Sequence, residues 1–162
     1  METTNIRKIA QGDNEQVAKI VRSVFEELGV PKTGTAYVDK ELDAMYEAFE
    51  VMPNADFYVI EDEGVLIGCG GIAPLANFKG NVCELQKMYF LPEARGRGLG
   101  KKLIETCLKQ AKTYGFESCY LETMPYMKAA QALYQKNGFE YIEAPMGCTG
   151  HSACPVYMLK KL

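Results

Sequence analysis

Val17, Ile20, Val21, Val24, Phe25 and Leu28 recur at three- and four-residue intervals, the spacing that lays one apolar stripe along a helix. Asp13 with Gln16 reads as a capping box ahead of this stripe, and Gly29 with Pro31 ends it. Residues 30–38 read as a loop. From Asp39 to Phe49 a second helical pattern places Leu42, Met45, Tyr46 and Phe49 on one face, and Pro53-Asn54 breaks it. Short apolar runs at Ile6 to Ile9, Phe57 to Ile60, Val65 to Ile72 and Val82 to Leu91 predict strands, the middle two joined as a hairpin around Glu61 to Gly64.

The second half repeats the alternation. Leu99, Leu103, Ile104, Cys107, Leu108 and Ala111 mark a helix that Gly115 terminates, and Ser118 to Thr123 follows as a strand. Met127 to Lys136 is a further helical pattern ending at Asn137-Gly138, and Phe139 to Ile142 and Val156 to Leu159 are the last strands. The expected fold is α/β (α+β): a central, mixed, mostly antiparallel sheet flanked by about four helices. Connections through the helices at 99–114 and 126–137 imply some parallel pairing. At 162 residues the chain is expected to form one domain, residues 1–162.

Chemistry concentrates between the strand at 82–91 and the helix at 99. Arg95-Gly96-Arg97-Gly98-Leu99-Gly100-Lys101-Lys102 follows the strand after Pro92 and opens the helix. Glycines expose backbone N–H groups at the positive end of a helix dipole, a site for phosphate, and the flanking Arg and Lys residues add charge. A nucleotide-hydrolase loop needs four residues between its first glycine and the Gly-Lys pair, then Ser or Thr; here three separate Gly96 from Gly100-Lys101 and Lys102 follows. A dinucleotide fingerprint needs G-x-G-x-x-G near the start of a βαβ unit, whereas this turn reads G-x-G-x-G after some ninety residues of other structure.

The arrangement resembles the GNAT superfamily of N-acetyltransferases, whose coenzyme A signature is Gln/Arg-x-x-Gly-x-Gly/Ala at a strand-to-helix turn. Arg95, Gly98 and Gly100 fit that signature. Downstream, Leu133-Tyr134 with Gly138-Phe139 resembles the family's late Leu-Tyr-x-x-x-Gly-Phe element. The two motifs cover about residues 82–143; the N-terminal half matches only in its order of elements.

The resemblance implies a GNAT-like fold and acetyl-CoA as co-substrate, with transfer to a primary amine of a small-molecule or peptide acceptor directly within a ternary complex. Its coenzyme site maps onto Met88, Tyr89 and Phe90, whose backbone would pair with the pantetheine arm, and onto Arg95, Gly96, Arg97, Gly98, Leu99, Gly100 and Lys101. Tyr134 is then the candidate acid for the departing thiolate, since a phenol stays protonated at neutral pH yet can donate. Glu84 is the candidate base; in an otherwise apolar strand its pKa would be raised by desolvation. Met127 stands where the family often carries asparagine, seven residues before the tyrosine, so one coenzyme contact is expected to be missing. Homodimers are common in the family. A non-catalytic acyl-CoA-binding module is the competing reading.

Composition narrows the partners. A formal net charge of −3 argues against nucleic acid, and no apolar run is long enough to span a bilayer. The N-terminus carries no basic and apolar leader pattern, so a cytoplasmic location is expected. Six scattered cysteines read as small buried hydrophobes rather than a disulfide framework. Cys148, His151 and Cys154 have metal-like spacing, but three ligands in one loop fall short of a closed four-ligand site, and no metal is expected. The loop around His151, the sole histidine, reads as a flexible glycine-containing loop before the last strand; the alternative functional reading is that it borders the acceptor pocket, with His151 as an auxiliary base or substrate contact. Glu41, Asp43, Glu47 and Glu50 read as a solvated acidic face.

Overall fold

The computed structural model describes residues 3–162. Seven strands form one sheet in the order β1-β2-β3-β4-β5-β7-β6, with β1 (Thr4–Lys8), β2 (Asp56–Asp62), β3 (Val65–Pro74), β4 (Val82–Phe90), β5 (Ser118–Thr123), β6 (Glu140–Ile142) and β7 (Val156–Lys161). The helices are α1 (Asn14–Leu28), α2 (Met45–Glu50), α3 (Leu99–Thr113) and α4 (Lys128–Lys136). Most ladders are antiparallel: short connections join β2 to β3 and β3 to β4, whereas α1 and α2 lie between the antiparallel neighbours β1 and β2. The β2–β3 turn places Glu63 and Gly64 at φ of 50° and 81°, the two positive dihedrals that match strand twist in a two-residue hairpin.

The one parallel ladder, β4 with β5, runs through α3 as expected. The connection through α4 differs from expectation: β7 inserts between β5 and β6 and pairs antiparallel with both, so no parallel ladder forms there. The final strand takes the partner that an edge strand of three residues cannot saturate.

Two cores lie on opposite sides of the sheet. Val17, Ile20, Val21 and Phe25 of α1 join Leu42, Met45 and Phe49 over Phe57, Val59 and Cys69. Leu103, Ile104, Cys107 and Ala111 of α3 cover Ile60, Ile72, Cys83 and Leu85, together with Tyr134 and Phe139. Alternation along each strand sends successive side chains to opposite cores. Five of the six cysteines are buried free thiols and Cys148 is exposed.

Two local expectations are corrected. The Asp13–Gln16 capping box does not form: Asp13 turns back to accept from the Ala10 amide (2.7 Å) and from Arg7 (2.7 and 3.1 Å), while Gln16 accepts from the Leu66 amide at 3.0 Å. With Arg7 and the Ala10 amide both bound, the Asp13 carboxylate is turned away from the first turn of α1. The second helix is shorter than its pattern, since Lys40–Ala44 is a 3₁₀ turn and only Met45–Glu50 is α-helical. Its acids are also engaged rather than simply solvated: Glu41 with Lys87, Asp43 with Arg22, Glu47 with Asn14 and Glu50 with Tyr46.

Candidate active site

The sheet opens where β4 and β5 part. They pair only from Val82 to Glu84 against Ser118 to Tyr120. Beyond that, Lys87 and Met88 stand opposite the single residue Gly70 of β3, a bulge. Lys87 takes φ of +49° there, a left-handed conformation that costs a side-chain-bearing residue about 1–2 kcal/mol. A Cβ at Gly70 opposite it would meet the Met88 methyl at 2.7 Å, so the end of the Met88 side chain takes the space that glycine leaves. The bulge bends β4 from β5, leaving its Met88–Phe90 edge without a neighbouring strand.

A cleft of about 550 Å³ fills this gap. Met88, Tyr89, Phe90, Arg95, Gly96, Gly98, Leu99, Gly100, Lys101 and Tyr134 all line it, ten of the twelve residues that the sequence assigns to coenzyme or catalysis. Gly96 and Gly98 have φ of 71° and 74°, and a Cβ on either would project into open space, so their missing side chains leave the backbone approachable rather than relieve a clash. The first bond of the α3 ladder runs from Lys102 N–H to the Gly98 carbonyl at 3.3 Å. The amides of Leu99, Gly100 and Lys101 therefore precede the ladder and are free for an anion. Gly100 has a different role: a Cβ would meet Leu133 at 2.7 Å, so it lets α4 close against α3. These features fit the pyrophosphate and pantetheine arm of coenzyme A.

The arginines are not placed as their charges imply. Arg95 forms a bidentate pair with Glu27 of α1 (2.6 and 2.9 Å) and also donates to the Phe90 carbonyl. It ties α1 to the end of β4 before it contributes any charge to the cleft. Arg97 turns out of the cleft, donating to Asp62, Thr4 and the Glu93 carbonyl. Lys101, Lys128 and Lys136 also line the cleft, and Glu105 lies 3.8 Å from Lys101.

Tyr134 is 6% exposed and stacks edge-on against Phe139. Burial holds its phenol well above the ordinary tyrosine range, so it is a proton donor at neutral pH. Met127 is buried at the start of α4, its sulfur accepting from Thr123 at 3.5 Å. The thioether replaces an amide donor with an apolar wall.

Glu84 does not line that cleft. It lies 5% exposed at the point where β4 and β5 separate. One carboxylate oxygen accepts from Gln86 at 2.7 Å, and burial pushes its pKa up to about 7. His151 and Glu122 are its neighbours: one ligand atom from each of the three falls within 4.8 Å of the others. His151 Nε2 contacts Asp39 at 2.9 and 3.1 Å. Asp39 in turn pairs with the buried Lys87 ammonium at 2.9 Å, and Lys87 with Glu41 at 3.1 Å. Glu122 accepts from Tyr120 (2.6 Å) and from the Thr149 hydroxyl. Burial alone lowers the imidazole pKa, but Asp39 outweighs it and leaves His151 raised.

Asp39, Lys87 and Glu122 escaped the sequence reading. Each is an ordinary charged residue in its own segment, and only their convergence from the α1–α2 connection, β4 and β5 makes them unusual. The one available signal was a lysine inside an apolar strand. The Cys148, His151 and Cys154 spacing has another meaning in the structure: His151 joins Asp39 and the two glutamates, Cys154 is buried, and burial raises its thiol to about 12.

Comparison with known proteins agrees with this geometry. Residues 21–139 match the acetyltransferase (GNAT) family. The chain is 44% identical over 158 residues to an uncharacterized N-acetyltransferase, YjgM, of Escherichia coli K12, covering 97% of this chain and 94% of the relative. A GNAT-family acetyltransferase structure from Staphylococcus aureus Mu50 superposes with a TM-score of 0.85 at 20% identity, covering 98% and 99% of the two chains. The PaiA N-acetyltransferase of Thermoplasma acidophilum, solved with coenzyme A, gives 0.71 at 20% identity over 98% and 99%. The chain belongs to the acetyltransferase (GNAT) family. It is an acyltransferase whose co-substrate is acetyl-CoA.

Proposed function

We propose that the protein transfers the acetyl group of acetyl-CoA directly to a primary amine of a small-molecule or peptide acceptor, with Glu84 as base and Tyr134 as acid. The observation that carries this reading is the convergence on one cleft of three features. They are the unpaired Met88–Phe90 edge, the free amides at the start of α3, and the buried Tyr134 hydroxyl.

In this reading the α3 amides and Lys101 hold the pyrophosphate, and the β4 edge aligns the pantetheine arm and offers N–H groups to the thioester oxygen. Glu84 takes one proton from the ammonium form of the acceptor. The freed lone pair forms the C–N bond, and the carbonyl electrons move to an oxyanion. As the intermediate collapses, the C–S pair leaves on sulfur and takes a proton from Tyr134, and the second proton lost by nitrogen restores the phenol. Buried cysteine thiols held neutral, Cys69 and Cys154 at about 12, are poor nucleophiles, which supports direct transfer.

The test is release of free coenzyme thiol from acetyl-CoA across a panel of primary amines. Amine-dependent release supports the reading; acetyl-CoA binding without release on any acceptor overturns it.

A further inference from the structure

The β6–β7 loop, residues 143–155, has no strand or helix of its own, so its shape depends on what it touches. Its near part is anchored to β5 and to the β3–β4 loop. Met146 N–H donates to the Tyr120 hydroxyl at 3.2 Å, Cys148 N–H to the Ala76 carbonyl at 3.1 Å, and the Thr149 hydroxyl to Glu122. Its far part lies against the α1–α2 connection. There the Ala153 amide donates to the Gly34 carbonyl at 3.0 Å, and His151 Nε2 reaches both oxygens of Asp39 at 2.9 and 3.1 Å.

The α1–α2 connection is itself irregular, with 3₁₀ turns at Ala36–Val38 and Lys40–Ala44, and Asp39 stands between them. Three chain segments meet at its carboxylate: the connection, the loop through His151, and β4 through the Lys87 ammonium 2.9 Å away. The Asp39, His151 and Lys87 side chains are 17%, 17% and 2% exposed, so water competes little for these bonds. Lys87 is fixed from behind by the bulge at φ of +49° and by Glu41 at 3.1 Å. The sheet therefore holds Asp39 on one side, and Asp39 holds the loop on the other. Lys87 takes one oxygen while His151 spans both; an asparagine there would offer one oxygen for the two donors and no charge. None of the three lines the coenzyme cleft, whereas His151 is a neighbour of Glu84.

We propose that Asp39 is a positioning residue for acetyl transfer, acting through Lys87 and His151 to hold the β6–β7 loop and the α1–α2 connection as one preformed wall beside Glu84. The proposal rests on the amine-acetylating reading with Glu84 as base. Asp39 touches neither the amine nor the coenzyme; it orders two irregular segments before the amine arrives. Order that exists beforehand does not have to be supplied by binding. A wall closed for part of the time weakens the apparent affinity for the acceptor in proportion to the closed fraction, while molecules that do bind react at the usual rate. The signature is a change in the acceptor KM with kcat and coenzyme affinity kept.

The test is thiol release at saturating acetyl-CoA with varied n-butylamine, in the parent, Asp39→Asn, His151→Ala and His151→Gln. Asp39→Asn and His151→Ala are each expected to raise the KM for n-butylamine about tenfold, as a wall closed about a tenth of the time requires. The kcat stays within about threefold of the parent, and the acetyl-CoA dissociation constant is unchanged. His151→Gln, whose amide can donate to Asp39, is expected to recover most of the parent KM. The double variant Asp39→Asn with His151→Ala should be no worse than either single, because both remove one contact. His151 is the sole histidine, so a single imidazole NMR signal reports that contact; Asp39 raises its titration midpoint, and Asp39→Asn should lower it.

A lower thermal midpoint with KM and kcat unchanged makes Asp39 a structural tie and overturns the proposal. So does a loss confined to kcat, an acetyl-CoA affinity weakened as much as that of the amine, or effects that add in the double variant. If Asp39→Asn does not fold, the two His151 variants carry the same prediction, and equal KM values for His151→Ala and His151→Gln overturn it. Amine-dependent release by the parent with an unchanged KM in the variants defeats this inference alone. No release by the parent on any amine defeats the reading beneath it.

Discussion

The two halves of the site are built in different ways. The half proposed for coenzyme draws mainly on one stretch, β4, the glycine turn and α3 from residue 82 to 113, with α4 and the α1 residues Val24 and Leu28 completing the cleft wall. It works through backbone, with free amides and an unpaired strand edge, so it needs few particular side chains. The charged network around Glu84, the proposed base, brings Asp39, Glu84, Lys87, Glu122 and His151 together from four separate segments in a largely buried setting. A backbone site tolerates change in its surroundings, while a buried charge network fails when one member is lost.

That contrast can be broken most sharply at Glu84. Glu84→Gln is expected to lower kcat/KM by about 10²–10⁴-fold, the usual worth of a positioned base, with the dissociation constant of acetyl-CoA unchanged. The sign of the pH dependence follows from burial. Glu84 accepts a proton only when ionised, and its pKa is pushed up to about 7, so the rate should rise with pH through 7 and level off; the variant should lose that rise. A pH–rate profile at saturating acetyl-CoA reads both effects. Tyr134→Phe, on the coenzyme side, is expected to lower kcat about 10²-fold with little change in coenzyme affinity.

Lys87 tests the network as structure. Its side chain is 2% exposed and balances Asp39 and Glu41. Removing one partner of a buried pair typically costs about 3–5 kcal/mol; Lys87→Ala is expected near the lower end, because Glu41 is partly solvated, and a fall in thermal midpoint measures it. Gly98→Val probes the backbone half. The αL conformation at φ of 74° costs a side-chain-bearing residue about 1–2 kcal/mol, and the new side chain stands in the cleft, so calorimetry should show acetyl-CoA binding at least tenfold weaker. Arg95→Gln should have the smallest effect, a several-fold loss of coenzyme affinity, because its guanidinium is already committed to Glu27 and Phe90. Loss of affinity as large as that of Gly98→Val would assign Arg95 to the phosphates instead.

What the sequence made legible follows the same division. The strands and the apolar faces of α1, α3 and α4 appear in periodicity, and the glycine turn and the Leu133-Tyr134 element appear as spaced motifs, because each is specified within a few turns of chain. Asp13 was misread since its partner Arg7 comes from β1. The insertion of β7 beside β5 depends on edges that exist only once the sheet has formed. The network around Glu84 is the least legible: Asp39 and Glu122 have nothing local to distinguish them, and the charge of Arg97 points to phosphate in sequence while Asp62 and Thr4 hold it in the fold.

The central claim is that one molecule binds acetyl-CoA through backbone and delivers an amine to it through Glu84. The most direct measurement is coenzyme thiol release with acetyl-CoA and n-butylamine, comparing the parent with Glu84→Gln from pH 6 to pH 9. The account expects release that requires the amine, rises through pH 7 in the parent, and falls about 10²-fold or more in the variant. Release that ignores the amine, or that proceeds equally well without the Glu84 carboxylate, would contradict it.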